Sequence, residues 1–269
     1  MSELIELLSF RFFTNALWAA LLSSLVAGIV GSYIVARRNV FISGGITHAS
    51  FGGMGIAYYL GLSPFLGAGI FAVLAALGIE WSSKRGGIRE DSSIAILWSL
   101  GMAIGILFVF LTPGYTPNLM GFLFGDILTV QNADLWFLLA IAVLCLLLVI
   151  FFYPVILSIA FDGEFAKVSG LPVQSIKYIS AVIVAIAIVL SIKVMGIILV
   201  LSLFTLPAAA ANLFAKSLDK VMVGAALIGI TGSVSGLFIA YYLDLPSGAT
   251  IIFTLTIIFV LLKIIKALR

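Results

Sequence analysis

Between Leu138 and Ile150 the chain carries no charged side chain, and only Cys145 interrupts an unbroken series of Leu, Ile, Val and Ala. Runs of this kind recur along all 269 residues. A bilayer core of about 30 Å is crossed by about 20 mostly apolar residues in a helix, so each run is long enough to span it. The composition leaves no other use for them. Of the residues 63% are hydrophobic and 9% charged, whereas a soluble domain carries about 25% charged residues and needs them to cover its surface. A membrane β-barrel would instead alternate apolar and polar residues in strands of about ten, and the runs do not alternate. The expected fold is all-α: a single polytopic transmembrane helical bundle over residues 1–269 with about nine helices, eight being the lower count.

Reading the runs against their breaks places spans near 12–36, 44–60, 65–83, 92–111, 134–158, 176–192, 195–213, 221–242 and 249–265. An N-terminus outside and a C-terminus inside then puts Arg37, Arg38, Lys84, Arg85, Arg89, Lys167, Lys177, Lys216, Lys220, Lys263, Lys266 and Arg269 on the inner side. Only Arg11 and Lys193 fall outside, the asymmetry expected when basic residues are retained in the cytoplasm. The formal charge of +3 is dispersed over these span ends, which gives nucleic acid nothing to bind. Glu3 and Glu6 precede the first run, unlike the basic region of a signal peptide, so the first span is expected to be retained. Cys145 reads as a packing or lipid-facing residue.

Ionisable groups inside a membrane are costly and therefore mark candidate sites. His48 is the only histidine and lies in the second span within Thr47-His48-Ala49-Ser50. A neutral imidazole is a common ligand of divalent transition metals, and Thr47 and Ser50 could share a hydration shell with it; a packing hydrogen bond across a helix interface is the competing reading. Glu80 lies near the inner end of the third span, one turn before Lys84, and is expected either to snorkel to the surface or to form an i, i+4 pair with that lysine. Glu90 and Asp91 open the fourth span ahead of Ser92 and Ser93, where acidic residues suit the positive end of a helix dipole, and capping that helix is their expected role. Phe161 to Pro172 reads as a short amphipathic helix on the inner side. Asp162 is its N-cap, Gly170 its end signal and Pro172 its stop, and its two phenylalanines suit either a partner's groove or the membrane surface.

The chain has no phosphate-binding loop of the G-x-x-x-x-G-K-[ST] type, so ATP energy must come from another subunit. It likewise lacks a nucleophile elbow and an H-E-x-x-H pair.

Six patches in order resemble the zinc/manganese/iron permeases of ATP-binding-cassette importers. They are Gly44-Gly45-Ile46-Thr47-His48-Ala49, Glu90-Asp91-Ser92-Ser93-Ile94-Ala95-Ile96, Phe124-Gly125-Asp126-Ile127-Leu128, Phe161 to Pro172, Gly196-Ile197-Ile198-Leu199-Val200 and Tyr241 to Gly248. The resemblance implies a plasma- or inner-membrane permease, not itself an enzyme, that imports a divalent metal ion as cargo and binds no cofactor of its own. Its implied partners are two cytoplasmic ATPase subunits, an extracytoplasmic metal-binding protein and a second permease copy, identical or not. It assigns Phe161, Asp162, Glu164, Phe165, Lys167 and Gly170 to a helix that couples to the ATPase, and His48, with Thr47 and Ser50, to the transport path. The chain departs from the family where an aspartate usually stands one turn before the histidine: here that position is Gly44. A freestanding channel or secondary transporter, or a permease for a metal chelate, is the alternative function.

Overall fold

A computed structural model describes residues 7, 9–113, 125 and 127–268 of the chain. Among the described residues there are ten α-helices and one short 3-10 turn. Nine of the helices coincide with the nine apolar runs: α1 Arg11–Ala36, α2 Phe41–Tyr59, α3 Pro64–Arg85, α4 Glu90–Leu111, α5 Asn132–Phe161, α7 Val173–Met195, α8 Ile197–Ala211, α9 Leu218–Leu243 and α10 Ser247–Ala267. The tenth, α6 Gly163–Val168, lies in the polar segment between α5 and α7. Phe124 and Asp126 of the expected outer motif, and residues 114–124 of the connection that holds it, lie outside the described residues.

Seven of the ten helices are long and apolar enough to cross a membrane; the short α6 is not, and α2 and α8 are the exceptions among the apolar runs. At 15 residues, α8 extends about 22 Å, short of the roughly 30 Å hydrocarbon core. Helix α2 has 19 residues, but glycine, serine, threonine and histidine replace much of its apolar content. Most of it is buried, so its polar groups face protein, where they are tolerated, and not lipid.

The chain separates into two compact units, the first formed by Met1–Val35, Met120–Phe151 and Leu190–Arg269, the second by Ala36–Leu119 and Phe152–Val189. In the first, α8, α9 and α10 pack on one another. Helix α1 joins them through small residues: a Cβ on Gly31 would come within 2.3 Å of the Phe204 carbonyl oxygen. The hairpin between α7 and α8 turns on Gly196 alone, whose φ of 78° suits a residue without a side chain. Cys145 is buried in this unit, which settles its role as packing.

In the second unit α2 runs between α3 and α4. Glycines bring the backbones together: a Cβ on Gly53 would lie 2.2 Å from the Gly67 carbonyl oxygen, and one on Gly101 2.4 Å from the Ala49 Cα. Without water to drive them together, membrane helices depend on such close approach for their packing energy. Helix α5 is kinked at Phe152, with φ −121° and ψ 16°. Pro154 is the cause, since its ring clashes with the preceding turn and removes one helical hydrogen bond.

Candidate functional site

Helices α2 and α4 of the second unit build the surroundings of His48. The side chain is half-buried and meets two residues of α4. Its imidazole stacks on the Trp98 indole, with ring centroids 4.3 Å apart and planes 14° from parallel. Its Nδ1 lies 3.3 Å from the Met102 thioether sulfur. Trp98 and Met102 are four residues apart and so project from one face of α4, and the contact of Gly101 with Ala49 holds that face against α2.

Gly44 belongs to the same arrangement. A Cβ there would fall 2.6 Å from the edge of the Trp98 ring, so the indole occupies the space that any larger residue one turn before His48 would need. Thr47 and Ser50 do not converge on the imidazole. Both are fully buried, and their hydroxyls donate within α2, Thr47 to the Ser43 carbonyl and Ser50 to the Thr47 carbonyl at 2.6 Å. Among the described residues no group of three or more His, Cys, Asp and Glu side chains comes together.

The polar ends of α2, α3 and α4 carry a second cluster. Glu80 is 5% exposed and pairs with Arg37, its Oε1 lying 3.0 Å from Nη1, and not with Lys84 as the i, i+4 spacing suggested. Arg37 is nearly as buried and reaches across from the segment before α2, so desolvation and a rigid bidentate donor favour it over a flexible lysine. Its Nη2 lies 3.7 Å from Glu90 Oε1, to which the Asn39 amide also donates. Glu90 is thus engaged across helices and does not cap its own, and α4 has no side-chain cap. Asp91 faces outward and pairs with exposed Arg89 at 3.3 Å.

The α6 segment follows its expected chemistry closely. Asp162 Oδ1 accepts a hydrogen bond from the Phe165 amide at 2.9 Å, capping the helix. At the far end the Gly170 amide donates to the Lys167 carbonyl and the Leu171 amide to the Ala166 carbonyl, both at 3.1 Å, with Gly170 at φ 83°. This is the paired bonding that ends a helix on a left-handed glycine. Ala166 is buried, whereas Phe161, Phe165 and Val168 are exposed, Val168 to 87%. Beside this helix lies a cleft of 740 Å³, lined by Asp162, Glu164 and Lys167 together with Glu80, Lys84 and Lys177.

In the first unit, Asp134 near the start of α5 pairs with Lys193 near the end of α7 and accepts from the Gln131 amide at 3.2 Å. The Asn15 amide donates to the Val130 carbonyl and to Asn132 Oδ1, both at 3.0 Å. Gly125 sits against Met195, where a Cβ would come within 2.2 Å of the backbone.

Residues 9–266 match the ABC 3 transport family. The chain belongs to that family. This ABC 3 chain is 34% identical over 256 residues to the manganese transport system membrane protein MntC of Halalkalibacterium halodurans, covering 95% of this chain and 88% of that protein. It is 33% identical over 250 residues to the manganese import system permease protein ScaB of Streptococcus gordonii, covering 93% and 90%. Its fold is similar to PsaBC from Streptococcus pneumoniae, solved in complex with Fab, at a TM-score of 0.85 and 33% identity over 97% of this chain and 94% of that one. Together with the seven membrane-length helices, family membership makes this ABC 3 chain a multi-pass membrane transport permease.

Of the residues that the sequence singled out, Asp162 to Gly170 form one continuous element and His48 stands apart from Thr47 and Ser50. Trp98 and Met102 were not singled out. Their i, i+4 spacing is visible in the sequence, but only the packing of α4 on α2 brings them to the histidine.

Proposed function

We propose that this chain is the membrane-spanning subunit of an importer that moves a divalent transition-metal ion, zinc, manganese or iron, into the cytoplasm, driven by a separate ATPase. The observation that carries this reading is the match, along nearly the whole chain, to metal-transport permeases of the same fold. The exposed, capped α6 helix supports the ATPase partnership. A rigid short helix presenting Phe161, Phe165 and Val168 beside a charged cleft suits insertion into a groove on a second protein.

In this account the N-terminus lies outside and the C-terminus inside, so α6 and the Arg37–Glu80–Glu90 cluster face the cytoplasm. Two permease copies, identical or not, form the path, and an extracytoplasmic binding protein delivers the ion to the outer connections. Nucleotide-driven closure of the ATPase pair draws the α6 helices together, and the bundle passes between two discrete arrangements. The ion passes along α2, where His48 supplies an imidazole ligand and Thr47 and Ser50 stand behind it. The chain itself hydrolyses nothing and holds no resident cofactor.

The test is co-purification of the tagged chain from its native membranes in mild detergent, with mass spectrometry of the proteins recovered. Recovery of a phosphate-loop ATPase in stoichiometric amount is the expected result. Reproducible recovery of the chain without an ATPase would overturn the reading in favour of a freestanding channel or secondary transporter.

A further inference from the structure

We propose that His48 and Met102 form a nitrogen–sulfur ligand pair that selects a borderline or soft ion such as zinc over manganese, with Trp98 closing the position from which a carboxylate would otherwise join them. This rests on the importer reading and names the cargo class within it.

The geometry of the pair is the first support. Nδ1 and the thioether sulfur are 3.3 Å apart. An ion about 2.1 Å from an imidazole nitrogen and about 2.3 Å from a sulfur, the zinc distances to imidazole and to thiolate taken for the thioether, would see two donors at that separation under an angle of about 97°. That lies between octahedral and tetrahedral values, so the spacing of the two donors suits a shared ion, which a small rotation of the side chains would seat. The Trp98 ring covers the face of the imidazole, parallel to within 14°. It fixes the ring while leaving the in-plane lone pair of Nδ1 free to point at the sulfur. With the ring proton on Nε2, two lone pairs converge on one spot, an arrangement that a cation stabilises and that is repulsive when empty. With the proton on Nδ1, the thioether accepts it, and the imidazole must first shift that proton to Nε2 through the surrounding water before Nδ1 can bind an ion.

The donor chemistry is the second support. Manganese favours carboxylate, carbonyl and water oxygens, whereas thioether and imidazole favour zinc and copper. The pair is neutral and contains no oxygen ligand. The Thr47 and Ser50 hydroxyls, the nearest in sequence, are buried and donate to their own helix. A carboxylate at position 44 would have to displace the Trp98 ring, which lies 2.6 Å from the place of its Cβ. Gly44, Trp98 and Met102 therefore act together as specificity-determining residues.

Binding is measured first, by calorimetric titration of the purified full chain in detergent with zinc chloride and with manganese chloride. Uptake of the same two salts, singly and in competition, is then measured in proteoliposomes of the co-purified importer. The wild-type chain is expected to bind zinc at least about tenfold more tightly than manganese, and Met102→Leu, which keeps the volume but removes the sulfur, to lose about that factor for zinc. The double variant Gly44→Asp/Trp98→Ala is expected to shift the preference toward manganese. Equal or tighter manganese binding by the wild type, or a Met102→Leu chain that keeps the zinc preference, overturns the proposal. Preferential manganese uptake by an active importer also overturns it while leaving the importer reading intact. Zinc-selective binding by a chain whose complex transports neither salt upholds the ligand pair and overturns the importer reading instead.

Discussion

Substituting Gly101→Ala tests whether the close approach of α4 to α2 sets the geometry around His48. The added Cβ would lie 2.4 Å from the Ala49 Cα, 3.0 Å from the His48 carbonyl oxygen and 3.1 Å from the Ala49 amide nitrogen. All three are backbone atoms, so no rotamer change relieves the overlap. Ordinary contact begins at 3.4 Å, and recovering it requires the two helices to separate locally by about 1 Å, an overpacking cost of roughly 1–3 kcal/mol. Trp98 and Met102 flank Gly101 on α4, and the same movement widens the 3.3 Å gap between the Met102 sulfur and His48 Nδ1 to about 4.3 Å, too far for a hydrogen bond. The paired control is Gly69→Ala, where the nearest atom to the new Cβ is 4.0 Å away. Thermal unfolding in detergent and metal uptake in proteoliposomes are the assays. Gly101→Ala is expected to unfold several degrees lower and to lose most of its uptake, while Gly69→Ala matches the wild type. A Gly101→Ala chain as stable and as active as Gly69→Ala would refute the reasoning.

Other substitutions probe separate interactions. Glu80→Ala removes the 3.0 Å carboxylate partner of the buried Arg37 guanidinium and should cost about 3 kcal/mol, whereas the double change Arg37→Met/Glu80→Leu restores most of it; equal melting points for Glu80→Ala and wild type would contradict the pairing. Asp162→Ala removes the cap bond to Phe165, worth about 1 kcal/mol to α6, and should lower transport per ATP hydrolysed by the purified complex; an unchanged ratio argues against α6 as the coupling element. His48→Ala should assemble with its ATPase normally yet move little metal, a result checked by co-purification and uptake on the same preparation. Wild-type flux in that variant removes His48 from the path.

Seven of the helices were legible because lipid imposes one rule on a span, apolar residues for about 20 positions with backbone groups satisfied inside the helix, and α2 and α8 because breaks in the apolar pattern bound them on both sides. The caps of α6 were legible for a related reason, since Asp162 and Gly170 act on backbone groups only a few residues away. Pairings across helices were not. Lys84 is the nearest cation to Glu80 in sequence, but Arg37 is the one that folding delivers. Glu90 sits where a helix dipole welcomes acid, yet it is drawn to Arg37 and Asn39. The same limit hid Trp98 and Met102. The absence of a side chain at Gly44 was visible from the start, but only the Trp98 ring packed above it explains what takes its place.

ATP-dependent uptake by the reconstituted complex measures directly whether this chain forms the path of an ATP-driven metal importer. Proteoliposomes that hold the chain with its co-purified ATPase and binding protein should accumulate a divalent transition metal against its gradient when ATP is supplied on the ATPase side, and should stop when a non-hydrolysable analogue replaces it. Flux that proceeds equally without ATP, or hydrolysis without any metal accumulation, would contradict the account.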